Sequence, residues 1–101
     1  LDTVIDILLV DDEPLNLSAL DVILANPGYR LWRALDADSA LRILLAHEIA
    51  AVVLDVRMPV VSGFELARII KSSKKYQQVP IIFLTAHLFD DQDIIAGYGA
   101  G

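Results

Sequence analysis

The chain has 101 residues, the size of one small domain, and 55% of them are hydrophobic, enough for a packed core and too many for a disordered segment. The absence of cysteine excludes a disulfide framework and a thiolate metal site, and a formal charge of −6 leaves no basic footprint for nucleic acid. The longest apolar runs fall far short of a membrane span, and Asp2 and Asp6 rather than basic residues precede the first of them, so a soluble, cytoplasmic domain without a signal peptide is expected.

Ile7-Leu8-Leu9-Val10 is a short apolar run that stops on Asp11-Asp12-Glu13-Pro14, a strand followed by a helix start. Proline suits the first helical position, and the acids before it suit the positive end of the helix dipole. Leu17, Leu20, Ile23 and Leu24 recur at helical spacing and predict one buried stripe, ended by Asn26-Pro27-Gly28. Tyr29 to Ala34 alternates large apolar residues with Arg30 and Arg33, the pattern of a strand near the edge of a sheet. Asp36 or Asp38 can cap the next helix, whose Ala40, Leu41, Leu44 and Leu45 share a face and which ends near His47-Glu48.

Ala51-Val52-Val53-Leu54 then reads as a strand buried on both faces, yet it stops on Asp55 before Met58-Pro59 and Ser62-Gly63 turn the chain away. A buried strand has no structural use for a carboxylate at its end. Ser62 and Glu65 have capping-box spacing and start a helix with Leu66, Ile69 and Ile70 inward. Lys71 to Gln78 is polar and turn-like, with Lys71, Lys74 and Lys75 in solvent, and Pro80 to Leu84 is another buried strand, ending in Thr85-Ala86-His87. A short helix from about Asp91 to Ala96 closes on Gly97 to Gly101.

Strand and helix alternate four times, which predicts an α/β fold: an open parallel sheet with right-handed crossovers and helices on both faces. In such a sheet the carboxyl ends of the strands lie on one edge, where ligands bind. That topology gathers Asp11, Asp12, Asp55 and Thr85. Clustered carboxylates must raise a pKa or take up a cation, and oxygen-only ligands favour a hard ion, Mg²⁺ or Mn²⁺. An Asp beside such an ion can act as a nucleophile toward phosphorus, with a hydroxyl such as Thr85 donating to a phosphoryl oxygen. The bland reading of Asp11 and Asp12 is helix capping; Asp55 and Thr85 at matching strand ends count against it.

Asp11-Asp12-Glu13-Pro14, Asp55-Val56-Arg57-Met58-Pro59 with Gly63, and Leu84-Thr85-Ala86 together resemble the receiver domain of two-component response regulators. The resemblance covers essentially the whole chain, in the family's order and spacing. It implies a flavodoxin-like (CheY-like) sheet of order 2-1-3-4, with residues 1–101 forming one receiver domain that is incomplete at its C-terminus. The family pattern continues into a fifth strand, a Lys-Pro pair and a fifth helix, and without them the last strand would leave an apolar edge open to association as a homodimer.

The resemblance also implies roles. Asp55 is the position that accepts a phosphoryl group from a histidine kinase or phosphotransfer protein. Asp12 ligates Mg²⁺ directly, Asp11 helps hold it, Asp55 shares it, and Arg57 offers it a backbone carbonyl. Thr85 turns toward the phosphoryl group, Ala86 stays small beside it, and Pro59 and Gly63 shape the loop. Arg57 and His87 are expected to modulate the rate of dephosphorylation. The implied activity is a switch acting on an output domain or effector protein, without membrane or nucleic-acid contact by this domain, rather than a turnover enzyme. Two other readings stand beside it: a receiver-like interaction module independent of phosphate, and an Asp-nucleophile phosphohydrolase, which would want a second acid where Arg57 stands. His47 reads as a surface residue at a helix end, and Trp32 and Phe64 as packing residues; Tyr98 fits either core or partner surface.

Overall fold

A computed structural model of the chain describes residues 3–84. They form β1 (Ile5–Val10), α1 (Pro14–Ile23), β2 (Tyr29–Ala34), α2 (Ala37–Ala46), β3 (Ala51–Asp55), α3 (Gly63–Lys71) and β4 (Ile81–Leu84). The strands pair in parallel in the order β2-β1-β3-β4. The flavodoxin-like order 2-1-3-4 is therefore observed.

The central strands carry uninterrupted apolar runs because both of their faces are covered. Leu8, Leu9, Val52 and Leu54 are fully buried. α2 and α3 lie on one face, where Leu8, Val10, Ala40, Leu44, Val52, Leu54, Leu66 and Ile70 make the main core. α1 covers the other, where Leu17 packs with Ile7, Leu9 and Val53. β2 at the edge alternates as expected, and its arginines are tied down: Arg30 to Asp6 at 2.7 Å and Arg33 to Asp21 at 2.6 Å.

The helix caps follow the sequence. Pro14 opens α1, Asp36 rather than Asp38 caps α2 by accepting from the Ser39 amide at 2.8 Å, and Ser62 caps α3 by accepting from the Glu65 amide at 3.2 Å. Three residues placed on buried stripes are instead in solvent: Ile23, Leu45 and Ile69. Each lies about 100° or more around its helix from a buried neighbour, respectively Leu17, Leu44 and Ile70, so helical spacing in the sequence overstates the width of the stripe.

Two further expectations need correction. β4 is not a buried strand: Ile81 and Phe83 face the main core, whereas Ile82 is 52% exposed, because among the described residues α1 does not extend over it. Lys71 is only partly in solvent; its Nζ donates to the carbonyls of Gln77 (3.0 Å) and Val79 (2.6 Å), holding the turn that leads into β4. Tyr76 in the same turn donates its hydroxyl to the Leu44 carbonyl, 3.1 Å away, anchoring the turn to α2. The residues from Thr85 onward, with the expected helix near Asp91, Tyr98 and any fifth strand, lie outside the described residues.

At the amino edge of the sheet, Trp32 donates its indole N–H to Asp6 at 3.0 Å, and its ring stacks on His47 at 3.8 Å between centroids. That indole hydrogen bond, joined by the Arg30 guanidinium, holds the Asp6 carboxyl below its ordinary range. Trp32 and Phe64, which lies 5.1 Å from Phe83, are the packing residues expected, and His47 is exposed at the α2 terminus. The clasp at Lys71 gives a measurable contrast. Lys71→Ala should lower stability in urea denaturation by about 1–2 kcal/mol by stripping two carbonyls of a charged donor, whereas exposed Lys74→Ala should stay within about 0.5 kcal/mol.

Candidate functional site

The site is a product of register. Val10 of β1 stands level with Leu54 of β3, so the next residues, Asp11 and Asp55, leave the sheet side by side. Asp11 continues the β1 pairing by donating its amide to the Ala34 carbonyl, and its Oδ1 accepts from the Glu13 amide at 2.9 Å. That turn delivers Glu13 and Pro14 to the start of α1. Asp11 thus closes a turn ahead of α1 rather than capping the helix, and its second role is in the site. Glu13 itself occupies the N-cap with no side-chain hydrogen bond there.

Asp11, Asp12 and Asp55 each bring a carboxylate oxygen within 4.8 Å of the others. Asp11 and Asp55 are buried, at 6% and 8% exposure, and Asp12 is exposed. Burial, then the neighbouring charge of Asp11, with a smaller contribution from Asp12, pushes the Asp55 carboxyl up to about 6; the Arg57 amide, donating to Asp55 Oδ1 at 3.4 Å, opposes the rise. The donor set is oxygen only, and one face is open through the exposed Asp12. Such a cup fits a hard divalent cation that keeps some of its waters, Mg²⁺ or Mn²⁺, better than zinc or copper.

The loop after Asp55 holds the carboxylate in place. Val56 and Met58 are buried, Met58 within the core beneath α3. Gly63 donates its amide to the Val56 carbonyl at 3.0 Å, folding the loop back on the strand. A Cβ at Gly63 would collide with the Asp55 carbonyl, lying 2.9 Å from its carbon and 3.0 Å from Val56 Cα. The glycine is required for close approach, not for a left-handed backbone. Between these anchors Val60 adopts φ 69° in a tight turn closed by Val61 N–H to the Pro59 carbonyl, and it is 99% exposed. The left-handed region costs a residue with a Cβ on the order of 1–2 kcal/mol.

Of the residues singled out from sequence, Asp11, Asp12 and Asp55 are brought together, the Arg57 amide reaches Asp55, and Pro59 and Gly63 shape the loop. Thr85, Ala86 and His87 lie outside the described residues, although β4 ends with Leu84 paired to Asp55. Met58 and Val60 had no assigned part. The buried Met58 could have been read from its apolar side chain in a turn, but nothing in the sequence marks Val60, whose β-branching disfavours the conformation it takes. A cavity of about 640 Å³ opens at the opposite edge of the sheet, beside Asp6, His47, Lys75 and Tyr76. The chemistry stays with the acids: Asp6 is engaged by Trp32 and Arg30, and an ion with a phosphoryl group needs only a shallow cup.

Two measurements probe this geometry. Gly63→Ala should cost about 2–3 kcal/mol in urea denaturation, the range for overpacking against backbone. The second uses the titration of Asp55. Its folded pKa of about 6 lies above the ordinary 3.8, so the folded state binds the proton more tightly. Its contribution to stability is full below pH 3.8, is lost as pH rises through 6, and stays lost above. Asp55→Asn should therefore be more stable than wild type at pH 8, by on the order of 3 kcal/mol at most, with the difference vanishing near pH 4.

Comparison with known proteins accords with this geometry. The chain is 35% identical over 95 residues to the transcriptional regulatory protein AfsQ1 of Streptomyces coelicolor, covering 94% of this chain and 40% of that protein. It is 36% identical over 96 residues to the transcriptional regulatory protein YvrH of Bacillus subtilis, covering 94% of this chain and 39% of that protein. The chain thus spans about two fifths of the length of these curated relatives. Among solved structures, the chemotaxis protein CheY4 of Vibrio cholerae superposes with a TM-score of 0.86 at 26% identity, covering 98% of this chain and 82% of that one. Residues 7–101 match the response regulator receiver domain, and the chain belongs to that family of two-component signalling domains.

Proposed function

We propose that this domain is a Mg²⁺-dependent phosphoacceptor switch in which Asp55 takes a phosphoryl group from a histidine kinase or phosphotransfer protein and passes the change to an output domain or effector. The observation that carries the reading is the convergence of Asp11, Asp12 and Asp55 within 4.8 Å at the end of a buried parallel strand. Asp12 and Asp11, with Asp55, would hold the cation, and the Arg57 carbonyl is the family's further ligand. When bound, the ion neutralises the acids and the charge on the transferring group.

The chain's own groups account for the rest. Asp55 presents a carboxylate whose free anion is disfavoured by burial and by Asp11, and a cation held by Asp11 and Asp12 would favour the ionised form that a nucleophile needs. A carboxylate oxygen forms the new O–P bond as the N–P bond to the donor imidazole breaks, its electron pair returning to that nitrogen. The Arg57 amide steadies one oxygen of the nucleophile, and Gly63 and Met58 keep the loop from moving away. Thr85 and Ala86 are assigned to the receiving side of the phosphoryl group by the family pattern, and Arg57 and His87 to the control of its hydrolysis. A phosphohydrolase reading lacks its second acid, since Arg57 occupies that place.

No helix among the described residues is long and apolar enough to cross a membrane. The test is treatment of a chain extended beyond residue 101 with phosphoramidate and Mg²⁺, followed by intact mass measurement. One phosphoryl adduct is expected on wild type, with none on Asp55→Asn and none when the metal is chelated. An unmodified wild type under these conditions would sink the reading.

A further inference from the structure

Among the described residues Val60 alone has a positive φ, and it is also 99% exposed. An exposed valine is ordinary by itself; one held at a positive φ is not. A turn that needs φ near 69° is served by glycine or asparagine without the steric penalty a β-branched residue incurs. The core makes no use of the isopropyl group. A side chain that the backbone disfavours and the fold does not bury points to a contact outside the chain.

The position of Val60 restricts that contact. It lies five positions after Asp55, and the loop between them is fixed by buried Val56 and Met58, while Gly63 beyond it is pinned to the Val56 carbonyl. Val60 therefore belongs to the loop that leaves the carboxyl edge of the sheet at Asp55, the lip on that side of the acidic cup. A small phosphoryl donor can reach Asp55 through the cup alone. A protein that carries its phosphoryl group on histidine must lay its surface over the lip.

We propose that Val60 is a specificity-determining contact for the protein phosphoryl donor, seated in an apolar depression beside the donor's phosphohistidine. This rests on the reading of Asp55 as phosphoacceptor. The donor surface it fits is apolar at that point, because a charged or polar partner would gain nothing from an aliphatic side chain and would have to desolvate against it.

The experiment uses the full-length protein that carries this domain, as wild type, Val60→Asn and Val60→Ile. Asparagine tolerates the backbone and removes the apolar contact; isoleucine keeps the contact and the strain. Initial rates of Asp55 labelling are measured with phosphoramidate and with a panel of purified phosphohistidine-bearing kinases and phosphotransfer domains, and expressed as the ratio of protein donor to phosphoramidate. With the protein donor that labels wild type fastest, the ratio should fall about ten-fold or more in Val60→Asn, the scale of a buried interface contact, and stay near wild type in Val60→Ile. An unchanged ratio in Val60→Asn overturns the proposal. So does a parallel change in both rates, which would place the effect at Asp55 itself, and so does a panel in which every protein donor is slower than phosphoramidate. A wild type that phosphoramidate leaves unlabelled removes the phosphoacceptor reading instead, and the proposal with it.

Discussion

Everything at the carboxyl edge of this sheet depends on two carboxylates held level at the ends of neighbouring buried strands. Parallel pairing of Leu9 with Val53 and Val10 with Leu54 leaves no freedom in where Asp11 and Asp55 emerge. Slipping the register by one residue would turn the apolar side chains of β1 or β3 to the wrong faces, so the packing of the whole sheet enforces the meeting of the acids. The acids repel one another where water has little access. Folding supplies the energy for this placement, and a cation is the natural way of releasing it.

The supporting elements divide by face. α2 and α3 close the main core, and α3 is joined to the site directly, through Gly63 against the Asp55 backbone and through Met58 below it. α1 begins two residues after Asp12 and makes the smaller core on the other face. A change in charge at Asp55 is therefore felt first by the loop that starts α3 and by the turn that starts α1. Both are tight backbone structures, so a shift there moves a helix terminus rather than a loose tip. That is the physical basis for expecting a two-state response at this edge.

The fold was legible in the sequence because its two kinds of pattern are strong and do not compete. Four apolar runs alternate with helical spacing, and each turn carries its own punctuation at Pro14, Pro27-Gly28, Asp36 and Ser62. The acid cluster was legible because Asp11, Asp12 and Asp55 make no sense as core and fall at matching strand ends. Legibility failed where tertiary context decides. Ile23, Leu45 and Ile69 carry the right residue type at the margin of a stripe, and only the neighbouring element determines whether the margin is covered. Lys71 looks like any surface lysine until the turn after α3 places two carbonyls within its reach. Val60 violates local preference, and a rule built from local preference cannot find it.

Trp32 offers a different kind of consequence. It is the chain's single tryptophan, and its indole is hydrogen-bonded to Asp6 and stacked on His47 at the amino edge of the sheet. Asp6 and Asp11 are five strand positions apart, roughly 16 Å along β1. The indole is thereby a spectroscopic probe of the far end of the sheet: its surroundings are the joint between β1, β2 and the end of α2. Ion or phosphoryl occupancy at the acids has to travel the length of a rigid strand to be seen there, so native tryptophan emission reads out the integrity of the scaffold and leaves the state of the acidic cup to a label placed on the loop after Asp55.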